Sequence, residues 1–130
     1  MNQNPLKMIT LCRDGNSPLK FNGERIGDAT RDIDREDEQS QEMKSYVISS
    51  RLYRSSSGKY VLGAEIYNQT DEKYLARDAW KADSLEELAE KVTSDSECQR
   101  SGVANWLDKD ILAELFKDTE IGDQFVEFVD

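Results

Sequence analysis

The sequence predicts an α+β domain: one twisted antiparallel sheet of about five strands, with two to three C-terminal helices packed on it. Three observations predict it. Residues 45–80 hold three β-branched and aromatic runs separated by polar turns, the pattern of an antiparallel meander. Two or three shorter strand-like runs precede them. After residue 84 the apolar residues recur at steps of three and four, the period of a helix.

Residues 8–12 (Met-Ile-Thr-Leu-Cys) are rich in strand formers. Residues 13–18 form a dense turn signal, with an Asp14-Gly15 pair and Pro18. Leu19, Lys20 and Phe21 alternate as a short strand. Asn22-Gly23 is a strong hairpin signal, because both residue types accept the positive φ of a tight reversal. It is expected to turn the chain into a strand over 24–29, although Ile26 and Asp28 share no clean face. Residues 28–42 carry seven acids against two arginines, a net of −5, and almost nothing apolar follows Ile33. That composition predicts a mobile, solvated loop.

In the meander, Tyr46, Ile48 and Leu52 fall on one face, and Tyr60, Leu62, Ala64 and Ile66 on one face of the next strand. Arg51, Tyr53, Glu65, Tyr67 and Arg77 then point the other way. Ser84 and Glu87 fit a capping box that opens a helix with Leu85, Leu88, Ala89 and Val92 on one side. The stretch 93–102 is polar and breaks the period. A second helix is expected over 103–117, with Val103, Trp106, Leu107, Ile111 and Leu115 on one side. Ile121, Phe125, Phe128 and Val129 make a last short stripe.

The chain has 130 residues, the usual size of one domain, so 1–130 is read as a single unit. Its net charge is −10, with 27 acids against 17 bases. Such a chain repels nucleic acid and anionic membrane and attracts basic surfaces. The plain alternative is that the charge only keeps the protein soluble. Cys12 and Cys98 are too few and too far apart for a disulfide framework or a zinc site. The N-terminal residues lack the features of a signal peptide and no apolar run is long enough for a membrane span, so a cytoplasmic location is expected. The sequon at Asn68 carries no weight in that setting.

There is no histidine. That removes the commonest general base, the common zinc ligand and every Ser-His or Cys-His pair. No glycine-rich phosphate loop is present. Asp32, Asp34 and Glu36 alternate like the start of a calcium loop, but Asp37 stands at its glycine position and Met43 at its bidentate glutamate. No enzymatic activity, cofactor or metal is expected. A hydrolase working through carboxylates alone is the outlying alternative.

Two candidate surfaces remain. One is acidic: Asp32, Asp34, Glu36, Asp37 and Glu38 in the 28–42 tract, with Asp108, Asp110, Glu114, Asp118 and Glu120 in the C-terminal stretch, where residues 101–130 carry a net of −6. These acids are either ordinary solvated faces or a surface shaped for a basic groove, with carboxylates in place of phosphates. The other is a sheet face of Arg51, Tyr53, Tyr67 and Arg77, a regulatory ligand- or protein-binding site, which with Arg54 and Lys59 also reads as a basic and aromatic platform for stacking single-stranded bases. Its plain alternative is cross-strand pairing of Arg51 or Arg77 with Glu65.

The segment Ile9-Thr10-Leu11-Cys12-Arg13-Asp14-Gly15, then Pro18 to Ile26, then Leu52 to Val61, resembles small uncharacterised proteins of bacterial chromosomes and mobile elements. The resemblance implies bacterial or phage origin and brings no activity and no functional residues. In being small, acidic and free of motifs the chain is also similar in kind to anti-CRISPR and anti-restriction inhibitors. The expected function is therefore a non-enzymatic inhibitor of a nucleic-acid-binding host-defence complex. Its partner would be a basic protein surface, with no direct binding of nucleic acid or membrane.

Overall fold

Alternation builds the sheet, and the computed structural model, which describes residues 7–94 and 103–122, shows where each alternating run goes. The strands are β1 (Lys7–Arg13), β2 (Asn16–Glu36), β3 (Met43–Ser55), β4 (Tyr60–Asn68) and β5 (Lys73–Ala82). They lie in sequence order, and every neighbouring pair is antiparallel. Helix α1 (Leu85–Ser94), a 3-10 turn (Val103–Trp106) and α2 (Lys109–Phe116) follow. The result is a five-stranded antiparallel sheet with two α-helices.

The main core lies between the helices and one sheet face. Tyr46, Ile48, Leu52, Leu62, Ala64 and Ile66 supply the sheet side, as the meander pattern requires. Leu85, Leu88, Ala89 and Val92 of α1 and Ile111, Leu112, Leu115 and Phe116 of α2 supply the other. Burying such side chains is worth roughly 1.5–3 kcal/mol each before chain entropy is subtracted. Ser84 caps α1 by accepting the Glu87 N–H at 3.1 Å. A smaller core forms on the opposite face. There β1 and the start of β2 curl over the sheet, and Leu11 packs with Tyr53, Val61 and Ala79. The β1–β2 turn reaches β5, where the Asp14 N–H donates to the Arg77 carbonyl at 2.9 Å.

Three expectations are corrected. The chain reverses at Asp14-Gly15, where Gly15 has φ +80°, and runs straight through Asn22-Gly23. Gly23 serves close approach instead: a Cβ there would stand 2.7 Å from the Arg54 carbonyl oxygen. The expected strands at 19–21 and 24–29 are thus parts of one strand. A bulge between Arg25 and Gly27 switches its faces, which explains the discord of Ile26 and Asp28.

The acidic loop over 28–42 is also corrected. Residues 28–36 are strand, paired with β3 in unbroken register from Gly27↔Leu52 to Glu36↔Met43. Only residues 37–42 turn, closed by Asp37 N–H to Glu42 O at 2.9 Å and Gln41 N–H to Asp37 O at 2.7 Å. Composition hid the strand because Arg31 and Arg35 occupy positions on the helix side that would ordinarily be apolar.

The helix expected over 103–117 is two pieces. Asp108 accepts the Ile111 N–H at 2.9 Å and so starts α2 afresh. Ile121 is buried, whereas Phe125, Phe128 and Val129 lie outside the described residues. Among the described residues no helix is long and apolar enough to cross a membrane.

Candidate functional site

Register sorts the acidic candidates. The outer face of the sheet, away from the helices, takes Asp28, Thr30, Asp32, Asp34 and Glu36 from β2, all exposed. Along a strand, same-face neighbours stand about 6.8 Å apart. Asp32, Asp34 and Glu36 therefore form a straight row of carboxylates rather than the convergent set an ion needs. Among the described residues none of them, nor Asp28, makes an ion pair. Asp34 accepts a hydrogen bond from the Ser45 hydroxyl at 2.7 Å.

The helix side of β2 is different. Arg31 reaches Asp108 at 3.0 Å, and the Arg35 guanidinium lies 4.4 Å from the Trp106 ring centre. Asp108 is therefore a structural residue, held by its cap and by Arg31. Asp110, Glu114, Asp118 and Glu120 are exposed, and α2 packs chiefly on β2. The two acidic zones are thus borne by neighbouring elements.

The remaining acidic candidates, Asp37 and Glu38, line an open groove of about 410 Å³ at the end of the sheet. Its floor includes Tyr46 and Trp106, with ring centres 5.1 Å apart. Lys44 bridges Asp37 at 3.2 Å and Asp71 at 2.6 Å, and so ties the β2–β3 turn to the β4–β5 turn. The Ser40 hydroxyl and the Lys44 ammonium hold the Asp37 carboxyl below its ordinary pKa. Lys44 does the same for Asp71, and the two carboxylates raise Lys44 in turn. Asn68 completes the clamp: its buried amide donates to Asp71 at 2.9 Å and accepts the Asp71 N–H at 2.9 Å. Sequence reasoning missed Arg35, Lys44 and Asp71 because they acquire partners only when distant turns meet.

The alternative sheet face comes together in part. Arg51, Tyr67 and Arg77 share the outer face, half-buried. Tyr53 lies on the same face but is covered. It is buried beneath β1, edge-on to Phe21 at 5.5 Å. Arg77 is opposite Glu65 in register, but its ion pair is with Asp14 at 3.3 Å. Its guanidinium also lies 5.1 Å from the Tyr74 ring centre, and Tyr74 packs edge-on against Tyr67. Of its tyrosines, Tyr74 is exposed, Tyr67 half-buried and Tyr53 buried.

Among the described residues no group of three or more Cys, Asp or Glu side chains is placed to hold a metal ion. Cys12 is exposed with a free thiol, and Cys98 lies outside the described residues. Neither protein-family models, nor curated proteins, nor solved structures give a match to this chain.

Proposed function

We propose that this is a non-enzymatic acidic binding protein that occupies a basic groove of a nucleic-acid-binding complex, as an inhibitor of the anti-CRISPR or anti-restriction kind. The carboxylate row on β2 carries the reading. A phosphodiester backbone is a regular line of negative charge held by Lys and Arg. Asp32, Asp34 and Glu36 offer such a line on a strand that is already ordered, so little conformational freedom is lost on docking. The exposed acids of α2 lie on the opposite, helix side of β2 and add only to the net negative field of the molecule. A cytoplasmic setting and a bacterial or phage source go with this reading.

Capture of purified CRISPR effectors and restriction enzymes on the immobilised full chain tests it. The expected result is a partner whose binding weakens steeply with salt and whose nucleic-acid binding is blocked by the protein. Neutralising the row as Asp32→Asn/Asp34→Asn/Glu36→Gln should weaken the capture at least about tenfold. The reading fails if no partner's nucleic-acid binding is blocked, or if the neutralised triple variant blocks as well as the parent.

A further inference from the structure

Strand β2 is paired on both sides over only part of its length. Its pairing with β1 runs from Asn16 to Gly23, whereas its pairing with β3 continues to Glu36. Among the described residues, Thr30–Glu36 therefore has a strand on one side only. The other side is an edge, where alternate residues turn an N–H and a C=O outward. We infer that this edge takes an extended basic segment of the partner as an added strand. The inference rests on the acidic-binding reading and adds the mode of recognition to it.

Three observations select the occupant. First, β2 already accepts a strand on this same side one stretch earlier, before its bulge, and from Gly27 to Glu36 it keeps an unbroken register with β3 that leaves a regular edge. Second, the edge carries alternating chemistry. Asp32, Asp34 and Glu36 face outward from the sheet, and Ile33 lies on the helix side, against the main core. A strand laid beside them sets its own side chains about 5 Å away. Lys or Arg at every second position then opposes the carboxylates, and smaller side chains fall beside Ile33.

Third, the charges argue against a second copy of this chain. Antiparallel pairing of two such edges would set carboxylates against carboxylates, which is repulsive. The acids that keep the edge from pairing with itself leave it open to a strand of opposite sign. Arg31 and Arg35 do not interfere, because Asp108 and Trp106 hold them toward the helix side.

The test uses the full chain and a fluorescent synthetic peptide that alternates lysine and threonine. Two derivatives of equal charge carry backbone N-methyl groups, one on every lysine amide and one on every threonine amide. Only one set of amides in an added strand points at β2. The parent peptide should bind, one derivative should bind at least about tenfold more weakly, and the other should stay close to the parent. Amide exchange at Thr30–Glu36 should slow when the parent peptide is bound. Equal binding of all three peptides overturns the edge pairing and leaves docking by charge alone. Equal weakening of both derivatives overturns it as well, as does an unchanged exchange pattern. If no peptide binds, edge pairing fails. The salt-dependent capture of a nucleic-acid-binding partner then decides separately whether the acidic-binding reading falls with it.

Discussion

Asp108 separates structural acids from available ones. Its carboxylate accepts the Ile111 N–H at the start of α2 and meets Arg31 of β2. An N-cap is worth about 1 kcal/mol, and an exposed ion pair of this kind up to about 1 kcal/mol. Asp108→Ala should therefore cost roughly 1–2 kcal/mol in urea unfolding. Asp108→Asn keeps the cap and should cost distinctly less. Equal losses would show that the cap contributes little. Gly27 is the other residue on which the helix-to-sheet packing depends. A Cβ at this position would stand 2.2 Å from the Leu115 carbonyl oxygen, a backbone atom that no rotamer change can move. Gly27→Ala should push α2 off the sheet and lower stability by about 1–3 kcal/mol. A variant with an unchanged urea midpoint would contradict the close packing of α2 on β2.

At the scale of elements, the two turns beyond the ends of β2 and β4 are joined by one lysine. Lys44 pairs with both Asp37 and Asp71, and both carboxyls are held below their ordinary value of 3.8. A depressed carboxyl stabilises the fold fully above its unfolded pKa. That contribution is lost as pH falls through the folded value. Wild type should therefore lose a component of stability as pH drops below 3.8, and in Lys44→Met that component should be smaller, with the Ser40 and Asn68 hydrogen bonds still left to hold the two carboxyls down. Thermal unfolding followed from neutral pH into acid checks this, and parallel curves for the two proteins would refute it. The same elements show what was legible in the sequence. The meander and α1 could be read because period and burial agree in them: Ile48, Leu62 and Leu88 are apolar and sit in the core. The end of β2 could not. Its helix-side positions hold Arg31 and Arg35, whose partners Asp108 and Trp106 lie more than seventy residues away in sequence. Asn22-Gly23 misled for the opposite reason, since local turn chemistry yielded to two ladders, with β1 up to Gly23 and with β3 from Gly23 onward. Of the site, the acids Asp32, Asp34 and Glu36 were legible as charge. Their straight geometry was not, because composition carries no register.

For the whole molecule, the issue is whether the net charge of −10 works or only solubilises. The two roles predict opposite effects on stability from the β2 row. Carboxylates about 6.8 Å apart along a strand repel by roughly 0.6 kcal/mol per neighbouring pair in water before salt screening. A row kept for binding is a strain on the fold that docking relieves. A row that served the fold would have partners within it. Asp32 and Glu36 make no ion pair among the described residues, and Asp34 accepts only the Ser45 hydroxyl, which an asparagine oxygen also satisfies. The variant Asp32→Asn/Asp34→Asn/Glu36→Gln should therefore be as stable as wild type or more stable by up to about 1 kcal/mol at low salt. The difference should vanish as salt rises and screens the row. Melting temperatures of the two proteins across a salt series measure this. A triple variant that melts lower than wild type at low salt would make the row part of the scaffold. The same charges would then hold β2 in place, and the binding role assigned to them would lose its physical basis.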